Sequence, residues 1–274
     1  MPDVTVTVTD SSGNAASSVA SYAITSDGTL PGWGAPVWRD EFDGTAVDRS
    51  RWNVRSDYQS NHGGKNDPAN VTVAGGVLSL ACKRLATPFV TPTGVVKPYG
   101  TAYLDTNGKS PAPLARARWA IRMRFGRAKG SWLAFWLRDA SLPGELDVVE
   151  AVLDGLGGGR LVFTVHQDTN GGKAKRGFEW RPPASFDWQS FHEYAAEWDG
   201  VRMSWLVDGV VITSITTAAY PWLSSSFGTA GMNMRLNYQA GGSMPDYYHL
   251  PMDTSSALPD ALAVEWVRVH ARPA

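Results

Sequence analysis

Between residues 37 and 271 the chain is cut into short apolar runs that end at Gly, Pro, Asn or Asp before a helical period can build up. The runs include VTVAGGVLSLACKR, ARWAIRMRF, SWLAFWLRD, ELDVVEAV, RLVFTVHQ, EYAAEW, RMSWLVDGVVITSI, MNMRLNY and AVEWVRVHA. Their spacing, with no sustained 3.6-residue pattern, predicts an all-β fold: an antiparallel β-sandwich rather than an α/β sheet. Asp208-Gly209, between WLV and VVI, has the chemistry of a hairpin turn. No repeat at a period of roughly 20 to 50 residues stands out, which argues against solenoids and propellers. The 274 residues suffice for one such sandwich with a substantial core.

The N-terminus stands apart. VTVTVTD alternates strictly, Ser11, Ser12, Gly13 and Asn14 follow as turn-formers, and a second alternating stretch runs through Tyr22 and Ile24. This reads as a β-hairpin and linker over residues 1–30, with the main domain at 31–274. The hairpin resembles the last hairpin of a bacterial immunoglobulin-like module. An isolated hairpin is marginal in water, so it implies packing on the next domain or neighbouring modules in a larger parent chain.

Charge narrows the partners. The 25 basic and 26 acidic residues are scattered without long blocks, unlike the footprint of a nucleic-acid binder. No apolar run is long enough for membrane insertion, and the first residues lack the pattern of a signal peptide. Cys82, the single cysteine, excludes an internal disulfide and reads as a small core residue. Twelve tryptophans in a turn-rich β chain point to carbohydrate, because indole stacks on the apolar face of a sugar ring, although most buried tryptophans simply fill a core.

GELDVVEAV holds three carboxylates, Glu145, Asp147 and Glu150. On a regular strand Glu145 and Asp147 share a face and Glu150 points away. One extra residue at Val148 or Val149 would return Glu150 to that face, and such bulges recur beside active sites. The two glutamates would then stand roughly 13 Å apart at Cα, and side chains leaning together would bring the carboxyls to about 5 Å, the spacing of a retaining glycosidase. In that chemistry Glu145 is the nucleophile, Glu150 the general acid and then base, and Asp147 the neighbour that orients Glu145 and helps keep Glu150 protonated. A solvated strand face or a calcium site would use the same residue types.

Gly130-Ser131-Trp132-Leu133-Ala134-Phe135-Trp136-Leu137, followed by GELDVVEAV, resembles the paired GxWPAFWL-like and ExDxxE strands of glycoside hydrolase family 16. VWRDEFDGTAVDRSRWNV, ARARWAIRMRF, FHEYAAEWDGVRMSWLVDGV and AVEWVRVH resemble further segments of that family, in family order over about residues 37 to 270. The resemblance implies a concanavalin-like jelly roll with a concave substrate cleft. It also implies an endo-acting hydrolase of a β-linked polysaccharide, with β-1,3-glucan as the leading substrate. Substrate contacts would come from Trp132 and Trp136 as stacking platforms, Arg122 at the sugar or behind Glu145, His166 beside the leaving group, and Asn237 and Gln239 as donors to hydroxyls. Each has a plainer structural alternative, such as core packing for the tryptophans and a surface salt bridge for Arg122.

No cofactor is required by this chemistry, and no metal enters the expected site. Relatives implied by the resemblance carry a structural calcium ion on the convex side, where Glu265 stands in place of an aspartate. Leu133 and Ala120 depart from the family's usual proline and glutamate and blur the choice of glycan. A polysaccharide partner and a module-like N-terminus predict an extracellular or virion-associated protein. They also leave a second reading open, a non-hydrolytic carbohydrate-binding domain of a phage tail or surface protein.

Overall fold

A computed structural model describes residues 4–9, 15–20, 28–109, 115–168, 174–227 and 231–272. β1 (Val4–Thr9) and β2 (Ala15–Ala20) pair antiparallel as a sheet of their own. The expected turn at residues 11–14, along with Tyr22 and Ile24, lies outside the described residues.

Short strands β3 (Trp38–Asp40), β4 (Asn53–Val54), β5 (Gly64–Asn66) and β6 (Val71–Ala74) lead into β7 (Val77–Val90), β8 (Val96–Asp105), β9 (Ala117–Arg124), β10 (Ser131–Asp139) and β11 (Glu145–Leu153). Then come β12 (Gly159–His166), β13 (Lys175–Trp180), β14 (His192–Trp198), β15 (Arg202–Val207), β16 (Val210–Thr216), β17 (Met232–Ala240) and β18 (Asp260–Ala271). The described helices include α1 (Leu223–Ser226) and α2 (Ser243–Tyr247), and among the described residues no helix is long and apolar enough to cross a membrane.

Hydrogen bonding runs in one path, β13-β12-β11-β10-β17-β8-β7-β18-β9-β14-β15-β16. The first six strands and the last six form the two layers of the sandwich, joined where β7 turns into β8. Between them lies one large core that includes Phe135, Leu137, Val149 and Phe163 from one layer and Trp119, Ile121, Trp205 and Val264 from the other. Cys82 is buried there, and burial pushes its thiol pKa up. This is the antiparallel sandwich that the run pattern predicts and the jelly roll that the resemblance implies. Asp208 and Gly209 both have positive φ, 48° and 78°, as a hairpin turn of two left-handed residues requires between Val207 and Val210.

Some strands are absent from the run pattern, β13 and β8 among them. VKPYGTAYLD forms β8 and is buried over most of its length, so it shows no alternation, and Pro98 and Gly100 mimic a turn. Pro98 is tolerated because its ladder with β7 is irregular, the register slipping between Arg84 and Phe89. The segment before β3 also packs on the outer layer: Leu30 is buried, and Gly34 O lies 3.1 Å from His270 Nδ1.

Candidate active site

Period-two alternation decides what faces the cleft. On β10, Leu133, Phe135 and Leu137 enter the core, which turns Trp132, Ala134, Trp136 and Arg138 outward. On β11, Leu146, Val148, Val149 and Ala151 are core residues, so two consecutive valines point inward. The register shows the cause: Phe135 pairs with Val149 and Trp136 with Asp147, which leaves Val148 as an extra residue. The predicted bulge is therefore present, and it sets Glu145, Asp147 and Glu150 on one face. The Asp147 carbonyl at the bulge accepts the Trp205 indole N–H at 2.8 Å from the opposite layer, so an irregular ladder does not cost a buried orphan.

The three carboxylates have different surroundings. Arg138 Nε donates to Glu145 Oε2 at 3.0 Å. Trp132 Nε1 donates to Glu150 Oε1 at 2.8 Å. His166 Nε2 lies 3.0 Å from Asp147 Oδ2 and 3.8 Å from Glu145 Oε1. Burial, and then the charge of Asp147, pushes the Glu150 carboxyl well above the ordinary range, while the Trp132 hydrogen bond partly offsets this. Asp147 is likewise raised, first by burial and then by the charge of Glu145. Two neighbouring buried acids do not both ionise as readily as one does alone. Burial depresses the pKa of His166, which keeps its imidazole largely neutral.

Around them lies a cleft of about 240 Å³, lined by Trp132, Trp136, Asn237 and Gln239 together with Gln59, Asn61 and His62. Asn237 Oδ1 accepts the Trp136 indole N–H at 2.7 Å, which leaves the amide nitrogen of Asn237 to donate. Gln239 Nε2 is buried without a hydrogen-bond partner.

The structure thus brings together Glu145, Asp147, Glu150, Trp132, Trp136, His166, Asn237 and Gln239. It corrects the placement of Arg122. That residue is on β9 in the other layer, its Nε 2.5 Å from Glu265 Oε2, and it reaches neither the cleft nor Glu145. The arginine at Glu145 is Arg138, which sequence reasoning missed although it follows Trp132, Ala134 and Trp136 at even spacing. Arg235, two residues before Asn237, was findable in the same way; its guanidinium lies 5.1 Å from the Trp136 ring. Gln59, Asn61 and His62 come from a loop and carried no such signal.

Glu265 gives its charge to Arg122, and Glu41, after the opening strand, accepts two hydrogen bonds from Arg268. With guanidinium on both carboxylates, these residues do not fit a calcium cradle. Glu145, Asp147 and His166 lie close enough for one cation, their ligand atoms within 4.8 Å of one another.

A sequence profile described as "Glycosyl hydrolases family 16" matches residues 78–267. "Glucan endo-1,3-beta-glucosidase A1" of Niallia circulans is 25% identical over 271 residues, covering 85% of this chain and 37% of that protein. The chain therefore spans well under half of that relative. In structure, an endo-beta-1,3-glucanase from Pyrococcus furiosus is similar with a TM-score of 0.76 at 22% identity, covering 90% of this chain and 97% of the other. A laminarinase from Rhodothermus marinus gives 0.73 at 25% identity, with 87% and 98% covered.

Proposed function

Because this chain belongs to glycosyl hydrolases family 16, we propose that it cleaves internal bonds of β-1,3-glucan with retention, using Glu145 as nucleophile and Glu150 as general acid and base. The observation that carries this is the bulged strand β11, which sets an arginine-paired glutamate and a buried, high-pKa glutamate on one face with an aspartate between them. Glu145 Oε2 or Oε1 attacks the anomeric carbon while the bond to the leaving oxygen breaks, and that oxygen takes the Glu150 proton. Water then attacks the glycosyl-enzyme, gives its proton to Glu150 and frees Glu145. Asp147 bears on both steps, through its contact with His166 at 3.0 Å and through its charge near Glu150. Endo action and the β-1,3 linkage follow the names of the relatives, and an extracellular place of work follows from a polymeric substrate.

The test is reducing-end release from laminarin, mixed-linkage glucan, agarose and carrageenan, with proton NMR of the first-formed anomer. Laminarin should be cut and the β-anomer should appear first. An α-anomer would replace retention with inversion; binding without cutting of any glycan would make the domain a binding module.

The raised pKa of Glu150 gives a signed pH prediction. The general acid must carry its proton, so kcat/KM falls as pH rises through that pKa. Asp147→Asn removes the neighbouring negative charge, which lowers the Glu150 pKa and moves the alkaline limb of the profile to lower pH. An alkaline limb that stays in place in this variant would remove Asp147 from the proton balance.

A further inference from the structure

Lys97, on β8, is buried, yet its three acceptors are all main-chain carbonyls of one loop: Gln59 O at 2.8 Å, Ser60 O at 3.2 Å and His62 O. A buried ammonium is costly unless its charge is solvated, and here the loop itself is the solvent shell. Residues 59–62 are thereby curled around Nζ. The loop is tied down again where Gly63 N donates to Ala240 O, at the end of β17, at 2.8 Å. Gly242 completes the fit: a Cβ there would lie 2.6 Å from Asn61 O and 2.7 Å from His62 Nδ1, so only glycine admits the ring.

The side chain delivered by this arrangement is His62. Its ring meets Trp132 edge-on, 4.8 Å between centroids, and it lines the cleft together with Trp132 and Gln239. Gln239 pairs with Trp132 across the ladder, one row beyond Glu150. His62 Nδ1 and Gln239 Nε2 are both buried without a hydrogen-bond partner, so two such polar atoms flank one indole. Burial lowers the His62 pKa to about 4, so the neutral ring offers one donor and one acceptor, the same pairing a sugar hydroxyl presents.

Resting on the glycanase reading, we infer that His62 is a further sugar-binding residue, the side wall of a subsite formed with Trp132 and Gln239, and that Lys97 is its positioning residue. Lys97 acts only through the carbonyls of residues 59–62 and touches no sugar itself.

The experiment is calorimetric titration of laminarihexaose into Glu145→Gln, a background in which turnover does not interfere, alone and combined with His62→Ala, Lys97→Met or both. Each added substitution should weaken Kd by about tenfold, the worth of one hydrogen bond and a packed ring edge. The double addition should be no weaker than the weaker single one, because both act on one ring. Additive losses would overturn the Lys97 role, and unchanged affinity in His62→Ala would overturn the subsite. His62→Ala alters a side chain at the cleft wall and decides the matter alone if Lys97→Met does not fold. Binding that depends on His62, in a protein whose wild type cuts no glucan, would sink the hydrolase reading and leave the subsite standing. Failure of the hexasaccharide to bind the parent background overturns both.

Discussion

Glu145→Gln is expected to yield a folded protein that releases no measurable reducing ends from laminarin, a loss beyond the roughly 10²–10⁴-fold that removing a general acid costs. The substitution keeps the shape and one acceptor oxygen for Arg138 but replaces the anionic carboxylate with a neutral amide, too weak a nucleophile to form the glycosyl-enzyme. Glu150→Gln is expected to lose about 10²–10⁴-fold on the polysaccharide and much less in the first step on an aryl glycoside, whose leaving group departs without a proton. Azide separates the two roles further. In Glu145→Ala it enters from the side of the missing nucleophile and gives the α-glycosyl azide; in Glu150→Ala it displaces Glu145 from the glycosyl-enzyme and gives the β-azide. Gas chromatography or NMR of the azide product reads the outcome. If Glu145→Ala gave the β-azide, the two roles would have to be exchanged or abandoned.

Much of this site was legible because alternation is a strong constraint. Once Leu133, Phe135 and Leu137 are assigned to a core, Trp132 and Trp136 must face the other way. The chemistry required Glu150 to join Glu145 and Asp147, so a bulge could be anticipated, and Val148 supplies it. Three things were not legible. Strand β8 is buried on both faces, and Pro98 and Gly100 read as a break. The order of strands is set by long-range pairing, which leaves no local trace, so nothing in ARARWAIRMRF says that it pairs with β14 and β18 rather than with the acidic strand. The wall made by His62 depends on a lysine 35 residues away in the chain and a glycine on another loop. Such convergence has no periodicity to read.

The misplacement of Arg122 leads to the other large expected effect, because two arginines of β9 share a face and differ in what surrounds them. Trp119, Ile121 and Met123 enter the core, so Arg118 and Arg122 both point away from it on the layer opposite the cleft. Arg118 is 2% exposed and binds Glu193 and Glu197, the latter at 2.6 Å. Arg122 and Glu265 have side chains 38% and 35% exposed. An exposed pair is largely screened and contributes about 0–1 kcal/mol, whereas removing one member of a buried cluster strands its partners and costs about 3–5 kcal/mol. Arg118→Met is therefore expected to lower Tm by on the order of 10 °C and Arg122→Met by a few degrees at most, as read by calorimetry. Replacing Arg118, Glu193 and Glu197 together with apolar residues of similar volume should restore most of the loss, because the penalty lies in the stranded charges. Both single variants should keep the kcat/KM of the folded protein, since neither side chain reaches the carboxylates. A drop in kcat for Arg122→Met at unchanged Tm would return that residue to the substrate side and contradict the position of β9.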